Sequence, residues 1–394
     1  MPEYDESVRR SYRGGFTYLP PEYKEVDVGE GLVFDVNSLY PSVMRNCPLP
    51  YDEPIFYVGE YQPDPIYNLY VQEIECAFEL KEGHIPTIQI KDGINYRFVP
   101  TEYLTSSNGE PVTMWMTSVD LELFKKHYHI KYPKYTCGFK FKSTTGLFTQ
   151  YIDKWTEVKI QATKDGNKAM RTLAKLMLNS LYGKFALSPK VANKYPYYED
   201  GRIKYRIPRE PETKKIAYDM RDPIYIPVGT FVTSWSRFKT ISSAQKVKDI
   251  FLYADTDSLH LKLDLPPELR KMSDKELGNL TTKDLQKYGL PLPDDFEVDP
   301  VALGAWKIES RFTRARYVRQ KCYLEDANPP ENWGTENYDK DLLKITCAGM
   351  PKHCYPYVTW ENFHEGATYK GKLLPDHVKG GIVLKEVDFT IIRA

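Results

Sequence analysis

Two aspartates at a spacing of two follow a short apolar run. Asp255 and Asp257 lie within residues 253–258, which read Tyr-Ala-Asp-Thr-Asp-Ser. On an extended strand, residues i and i+2 lie on one face, and a turn at Thr256 would also leave both carboxylates at one tip. Paired carboxylates are the hard oxygen ligands that Mg²⁺ and Mn²⁺ prefer. The pair therefore predicts a divalent-metal site for phosphoryl transfer, with a solvated turn as the alternative.

Two further segments lie upstream and favour the metal site. Residues 35–41 read Asp-Val-Asn-Ser-Leu-Tyr-Pro, and residues 175–183 read Lys-Leu-Met-Leu-Asn-Ser-Leu-Tyr-Gly. Together with residues 253–258 they resemble motifs A, B and C of the family B DNA polymerases, DxxSLYP, KxxxNSxYG and YxDTDS, in the correct order. The five fixed residues of the last motif should recur by chance about once in ten thousand chains of this length.

Four more segments resemble one subgroup of that family. They are Tyr-Arg-Gly-Gly-Phe at 12–16, Thr-Thr-Gly-Leu-Phe at 144–148, Arg-Gln-Lys-Cys-Tyr at 319–323 and Cys-Ala-Gly-Met at 347–350. The subgroup is the protein-primed replicases of small tailed phages, of phi-twenty-nine type. The resemblance implies an α+β right-hand polymerase, with an antiparallel palm sheet, helical fingers, a small β-rich thumb and two insertions.

The resemblance also implies an order of domains along the chain. The expected segments are palm at 1–46, a first insertion at 47–148, fingers at 149–186, a hairpin insertion at 187–222, palm at 223–345 and thumb at 346–394. In the subgroup, the first insertion docks a terminal protein whose hydroxyl replaces a nucleic-acid primer, and the second helps to encircle the template. Strand-like runs at 69–78 and 85–90 indicate that the first insertion could form a domain of its own.

The catalytic and metal-binding roles follow from motifs A and C. Residues 31–34 are apolar and predict a short buried strand that ends at Asp35. The resemblance implies that Asp35 and Asp257 bind two Mg²⁺ or Mn²⁺ ions about 3.5 to 4 Å apart. Val36 is carried over as a further metal ligand, and Asp255 as the assisting catalytic neighbour.

Periodicity places the second motif on a helix. One stripe of a 3.6-residue period contains Lys168, Arg171, Lys175, Asn179 and Tyr182. A lone basic stripe is usually the wet side of an amphipathic helix, but this one ends in Asn and Tyr, followed by Gly183. The resemblance implies that Lys175 grips the phosphates of the incoming nucleotide and that Tyr182 packs near the nascent base pair.

Other nucleotide-binding positions are carried over from the subgroup. They are Ser38, Leu39, Tyr40, Lys159, Arg171 and Asn179. Arg171 departs from the subgroup pattern, which has lysine there, and arginine keeps the charge but changes the donor geometry. Tyr40 resembles the sugar gate that would meet a ribose 2′-hydroxyl, and the alternative for it is a core aromatic.

The total charge argues weakly against a nucleic-acid partner, because 54 basic and 54 acidic residues cancel. Residues 311–321, however, carry five basic side chains and no acidic one. Such a cluster can track phosphates, although a solvated basic face would look the same. The DNA contacts implied by the resemblance are Tyr12, Gly14, Gly15, Thr233, Arg237, Lys321 and Tyr323.

The expected partners are primer–template DNA, deoxynucleoside triphosphates and a terminal protein. No apolar run reaches the roughly 18 residues of a membrane span, so a cytoplasmic location is expected, in an infected bacterial host if the source is viral. The chain is also expected to be a monomer. Family members carry an exonuclease domain ahead of the Tyr-x-Gly-Gly segment, whereas eleven residues precede Tyr12. Extension without 3′–5′ proofreading is therefore expected.

Two other functions stay open on the same residues. A metal-dependent nuclease would use the carboxylates to shorten strands, and a non-catalytic DNA-binding replication scaffold would tolerate their loss. Nucleotide-dependent primer elongation separates both from a polymerase.

Overall fold

The computed structural model describes residues 3–90, 99, 101–211, 216–222, 224–378 and 381–392. The chain divides into two compact units. The first comprises residues 1–13, 40–79 and 106–235, and the second comprises residues 14–39, 80–105 and 236–394. The domain boundaries expected within these units stay predictions. None of the helices in the described ranges has the length and apolar character that crossing a membrane requires.

The described residues form both helices and strands. The helices are α1 (Glu3–Ser11), α2 (Leu39–Asn46), α3 (Ser118–His127), α4 (Thr149–Lys164), α5 (Lys168–Phe185), α6 (Ile226–Lys246), α7 (Pro267–Lys271), α8 (Asp274–Leu277) and α9 (Thr282–Lys287). The strands are β1 (Thr17–Tyr18), β2 (Asp27–Val28), β3 (Gly31–Val36), β4 (Leu49–Val58), β5 (Leu69–Leu80), β6 (Val112–Thr117), β7 (Tyr128–Thr144), β8 (Lys190–Val191), β9 (Tyr195–Glu199), β10 (Arg202–Arg206), β11 (Asp219–Met220), β12 (Phe251–Asp255), β13 (Ser258–Lys262), β14 (Trp306–Phe312), β15 (Arg314–Arg319), β16 (Cys322–Asp326), β17 (Leu343–Cys347), β18 (Thr368–Val378) and β19 (Gly381–Thr390).

The second unit is built on a five-stranded sheet of order β1-β12-β13-β3-β14. Each pair of neighbouring strands in it is antiparallel. In β3 every residue except Asp35 is buried, as expected for an apolar run covered on both faces. On one face, Phe34 meets Phe296 edge to face at 5.4 Å between ring centroids. The predicted motif A strand is therefore present and carries Asp35 near its end.

A second sheet, of order β17-β16-β15-β2, packs against the other face of this one. The layer between them contains Val33 and Tyr253 from the first sheet and Tyr317 and Tyr323 from the second. The rings of Tyr253 and Tyr317 stack at 5.2 Å with an interplanar angle of 29°. This aromatic layer fixes the two sheets relative to each other beneath the strand ends that carry the motif C aspartates.

The last part of the chain forms a β18–β19 hairpin. Its base is buried at Tyr369 and Phe389, which pack in a cluster with Trp360 and Phe363. Farther along, Leu374 and the facing part of β19 are exposed. The expected β-rich character of this C-terminal region is present.

The first unit contains a four-stranded sheet of order β4-β7-β5-β6, the helix pair α4–α5 and the hairpin β9–β10. The strand-like run predicted at 69–78 is β5. The run predicted at 85–90 is wrong, because these residues form no strand and belong to the second unit. Pro86 lacks a backbone donor, and the Ile85 N–H donates to the side chain of Gln245 at 2.8 Å. Side-chain burial, rather than a strand ladder, accounts for the apolar pattern of this segment.

Candidate active site

The motif C aspartates lie at the tip of the β12–β13 hairpin. Thr256 and Asp257 form the two-residue turn, and Thr256 has a φ of +62°. The Thr256 N–H donates to the carbonyl of Phe16 at 2.7 Å, and the carbonyl of Asp257 accepts from the Val36 N–H at 2.8 Å. These bonds pin the tip to the chain segments on either side of it.

The register of the sheet brings motif A to motif C. Asp35 lies opposite Ser258, and Ser258 lies opposite Asp255. Directly opposed residues of antiparallel strands share one face, so Asp35 and Asp255 project from the same face. Asp257 follows Asp255 at the tip, and its carbonyl is bonded to the residue after Asp35. The structure therefore gathers all three predicted aspartates at one corner of the sheet.

Asp255 already has a cationic partner. The Lys321 ammonium group donates to its carboxylate at 2.5 Å, and the Thr17 hydroxyl donates to the same oxygen at 3.2 Å. Lys321 lies in the turn between β15 and β16 with a φ of +55°. Its backbone N–H donates to the Tyr253 hydroxyl at 2.8 Å. The predicted DNA-contacting lysine is thus bonded to the Asp255 carboxylate through its side chain and to the Tyr253 hydroxyl through its backbone.

Asp257 has a different electrostatic environment from Asp255. Burial raises the pKa of the Asp257 carboxyl above its usual value, and the negative charges of Asp255 and Glu309 raise it further, while Lys321 opposes them. A divalent cation near the carboxylate would favour the ionised form. The electrostatics of this corner therefore suit a bound cation.

The protein ligands for such a cation are few. Among the described residues, no group of three or more His, Cys, Asp or Glu side chains is arranged to hold a metal ion. An ion such as Mg²⁺ usually takes one or two carboxylates and completes its shell with water and substrate phosphates. The Val36 side chain is a hydrocarbon without a ligand atom, so Val36 could contribute only through its backbone carbonyl.

Gly15 packs directly on the Thr256–Asp257 turn. A Cβ atom there would lie 2.5 Å from Cγ2 of Thr256, closer than atoms can approach. Gly14 has open space around it and is exposed. The predicted Tyr-x-Gly-Gly segment therefore supports the turn through Gly15, because only glycine leaves room for Thr256.

The predicted motif B stripe lies on α5. Asn167 caps the helix by accepting from the Met170 N–H at 3.0 Å. The helix buries Ala174 and Leu178. The exposed members of the stripe are Lys168, Arg171, Lys175 and Asn179, and Tyr182 is half-buried. Lys159 is half-buried on α4, the helix that packs against α5.

Tyr40 and Tyr182 stack on each other. Their ring centroids are 4.0 Å apart and their planes differ by 27°. Both rings are half-buried, so Tyr40 is not a fully enclosed core aromatic. Just before it, Ser38 has a φ of +56° and the Leu39 side chain is buried. Leu39 could therefore meet a nucleotide only through its backbone.

Several predicted DNA contacts are buried. The Thr233 hydroxyl donates to the carbonyl of Thr230 at 3.0 Å within α6. The Arg237 guanidinium is buried and donates to the Gly14 carbonyl at 2.7 Å. Tyr323 is buried in the aromatic layer, while Tyr12 is half-buried. In this structure, Arg237 supports the Tyr-x-Gly-Gly segment from behind.

The basic run at 311–321 is largely engaged in structural contacts. Arg314 pairs with buried Asp326 at 2.7 Å and lies between the rings of Trp333 and Trp360. Arg316 pairs with Asp27. The expectation that this run forms a phosphate-tracking surface is not supported for these arginines, because their guanidinium groups are occupied within the protein.

Sequence reasoning missed three residues near the aspartates. Thr17 contacts Asp255, and His260 and Glu325 lie together beneath the hairpin, with 2.7 Å between His260 Nδ1 and Glu325 Oε1. The alternation along β13 places His260 on the face of Ser258, a signal that strand periodicity offers. The partners of these residues depend on strand pairing, which no local pattern specified.

The strand register places the motif A and motif C carboxylates together at one corner of the sheet. A family model for DNA polymerase type B, organellar and viral, matches residues 2–275. The chain belongs to this family. Its members depend on divalent metal ions for catalysis.

Individual relatives agree with this assignment. The chain is 45% identical over 396 residues to the DNA polymerase of Bacillus phage phi29, covering 98% of this chain and 62% of that protein. It is 34% identical over 363 residues to the DNA polymerase of Streptococcus phage Cp-1, covering 91% of this chain and 56% of that protein. The chain therefore spans about three fifths of the length of these relatives.

A solved structure gives the same result. Phi29 DNA polymerase complexed with primer-template DNA and incoming nucleotide substrates matches with a TM-score of 0.81 and 42% identity, covering 99% of this chain and 63% of that chain. The predicted right-hand polymerase fold and the resemblance to the phi29 type are confirmed.

Proposed function

We propose that this chain carries out template-directed transfer of deoxynucleoside monophosphates to a primer 3′-hydroxyl. The observation that carries the proposal is the sheet corner, where Asp35, Asp255 and Asp257 meet on strands paired in a fixed register. The relatives named DNA polymerase, and a relative's structure with primer–template DNA and nucleotide, support the same reaction.

Asp35 and Asp257 are proposed to hold two Mg²⁺ or Mn²⁺ ions, with the Val36 backbone as a further ligand. Such ions, when bound, activate the primer hydroxyl and offset the charge of the triphosphate. Asp257 is suited to this role because the Val36 N–H fixes its backbone carbonyl at the tip, where the residue is half-buried. Asp255, paired with Lys321, is proposed to position the ammonium group rather than to bind an ion.

Nucleotide binding is proposed for the α4–α5 helix pair. Lys175, Arg171 and Lys159 lie on these two helices, where Lys175 and Arg171 are exposed and can offer charge-assisted hydrogen bonds to phosphates. Asn179 continues the same stripe. The Tyr40–Tyr182 stack offers a flat aromatic surface against which a sugar and a base can pack. Ser38 and Leu39 would contribute backbone groups.

DNA binding is proposed for the segments that surround the carboxylate corner. Gly14 is exposed there and Lys321 is half-exposed, so both can approach a primer end. Arg237 and Tyr323 are proposed to act from buried positions, by holding the segments that touch DNA, and Thr233 is proposed to act from its own buried position in α6.

A terminal protein is proposed as a further partner, because the chain resembles the protein-primed subgroup. The region expected to dock it, residues 47–148, contains β4 and β7, and several of their apolar side chains are exposed: Ile55, Phe56, Val58 and Tyr132. Exposed apolar side chains clustered in one region often mark a protein-binding surface.

The test is incubation of the purified chain with an end-labelled primer on a longer template. We expect elongation that needs Mg²⁺ and all four deoxynucleoside triphosphates. Asp257→Asn should abolish elongation while retaining DNA binding, and Asp249→Asn, a change at an exposed aspartate, should behave as wild type. Shortening of the primer in the presence of the triphosphates would favour a metal-dependent nuclease. DNA binding with neither elongation nor shortening would favour a non-catalytic scaffold.

A further inference from the structure

A buried contact between a histidine and a glutamate lies directly beneath the β12–β13 hairpin. His260 on β13 is 1% exposed and Glu325 on β16 is 3% exposed. Nδ1 of His260 lies 2.7 Å from Oε1 of Glu325 and 3.1 Å from the Tyr317 hydroxyl. His260 Nε2 lies 3.5 Å from the hydroxyl of Ser258, the residue that follows the catalytic turn. The pair therefore joins the strand that carries the catalytic tip to the sheet behind it.

The Glu325 carboxylate is placed by charge rather than by well-directed hydrogen bonds. Lys344 approaches it at 3.4 Å from β17 and also approaches Glu309 at 3.6 Å. Neither carboxylate oxygen of Glu325 has a hydrogen bond of good geometry. Burial acts to raise the pKa of Glu325, but the nearby His260 and Lys344 outweigh it, so the pKa lies below its usual value. Glu325 is thus an anion inside the protein.

A second link between the same two sheets lies nearer the surface. Lys321 lies in the turn that precedes β16. Its ammonium group donates to Asp255, and its backbone N–H donates to the Tyr253 hydroxyl. The Tyr253 ring meets the His260 ring edge to face at 5.1 Å. The buried His260–Glu325 pair and the more exposed Lys321 therefore both connect the β12–β13 hairpin to β16 and the turn before it.

We propose that the His260–Glu325 pair is a positioning device for metal binding, which holds the β12–β13 tip at the distance from β16 that keeps Lys321 on Asp255. This inference rests on the proposed function of Asp35 and Asp257. If the pair is lost, Lys321 and Asp255 separate or shift, and Asp257 loses the cation that opposes its neighbouring negative charges. The carboxylates at the tip then bind a divalent ion with lower affinity.

The competing account is that the pair only holds two sheets together. Asp326 provides a matched control, because it is the next residue on β16, is fully buried, and faces away from His260 toward Arg314. Asp326→Asn removes a buried paired carboxylate of the same strand without touching the hairpin. Asp27→Asn, which weakens the Arg316 pair on β2, is a milder second control.

The experiment measures Mn²⁺ binding by electron paramagnetic resonance and primer extension in single turnovers, both well below the melting temperature of each variant. Glu325→Gln and His260→Gln should each weaken Mn²⁺ binding and slow the chemical step by roughly tenfold, as loss of groups that orient metal ligands does. The apparent affinity for nucleotide should not change. The double variant should lose less than the product of the two single losses.

The outcomes separate the accounts. If Asp326→Asn lowers the melting temperature but leaves Mn²⁺ affinity unchanged, while Glu325→Gln weakens it, the positioning role stands. If Glu325→Gln affects Mn²⁺ binding no more than Asp326→Asn does, the inference is wrong. Should Glu325→Gln fail to fold, His260→Gln is judged by the same comparison. If the variants differ from wild type in Mn²⁺ affinity as expected, but the wild-type chain extends no primer, the proposed function is overturned and the positioning role stays intact.

Discussion

Lys321 donates its ammonium group to the carboxylate of Asp255 at 2.5 Å. This pair connects the turn that precedes β16 with the last residue of β12, so a residue expected at the primer end also sets the charge at the carboxylate corner. The ammonium group is half-exposed, and it therefore remains available to a DNA phosphate or sugar while it holds the carboxylate.

The pair has a consequence for pH dependence. Lys321 lowers the pKa of Asp257, which burial and neighbouring carboxylates raise. Removing the ammonium group should raise that pKa further, so ionised Asp257 would need a higher pH. Lys321→Gln should therefore shift the acidic limb of the pH–rate profile of primer extension to higher pH and slow the reaction, and Lys321→Arg should shift it less. Lys248→Gln, at an exposed lysine, serves as the control, and an unshifted limb in Lys321→Gln would contradict the account.

Asp257 should weaken the fold when no metal is bound. Its pKa is raised in the folded state, so folding favours the protonated carboxyl, and stability is lost as pH rises through the range between the unfolded and folded values. At neutral pH, Asp257→Asn should raise the melting temperature of the metal-free chain by about 1 to 2 °C. Mg²⁺ should stabilise wild type more than the variant in thermal unfolding, and equal stabilisation would argue against metal binding at Asp257.

Tyr40 tests the sugar gate against a packing role. Tyr40→Val opens space and removes the stack on Tyr182, so ribonucleotide incorporation should rise relative to deoxyribonucleotide incorporation. Tyr40→Phe keeps the ring and should keep the preference. Single-nucleotide incorporation with matched ribo- and deoxyribonucleotides measures both. If the two variants discriminate equally well, the ring does not exclude the 2′-hydroxyl.

The exposed apolar side chains of β4 and β7 test the terminal-protein proposal. Val58→Asp places a charge on a side chain that is 79% exposed, so the fold should tolerate it. We expect it to reduce nucleotide transfer to the hydroxyl of a terminal protein from a related phage several-fold while extension of a DNA primer stays normal. Equal reduction of both reactions would place the effect in catalysis, and no reduction of either would remove Val58 from the binding surface.

The sequence predicted those elements whose residues are close together in the chain. The apolar run before Asp35 predicted β3, and the polar stripe through Lys175 predicted the helix α5, because a strand of period two and a helix of period 3.6 are local patterns. The three aspartates were identified from their motifs. Their meeting at one corner needed only the assumption that these motifs share a sheet.

Other features depend on which strands pair. Thr17 and Asp255 are 238 residues apart in the chain, and His260 meets Glu325 through the packing of two sheets, so no local pattern joins them. Counting the basic residues at 311–321 did not reveal that Arg314 is occupied by Asp326. Residues 85–90 were mistaken for a strand because burial, which packing alone can provide, gives the same apolar pattern.

The central claim is that Asp35 and Asp257 carry metal-dependent nucleotidyl transfer, and rapid-quench measurement of a single nucleotide addition tests it most directly. The chain is first bound to primer–template DNA, and nucleotide with Mg²⁺ is then added. Asp35→Asn and Asp257→Asn should each slow the addition by about a thousandfold or more while DNA affinity stays within a few-fold of wild type. Asp249→Asn should react at the wild-type rate. Addition at near-normal rate by either motif variant would contradict the account.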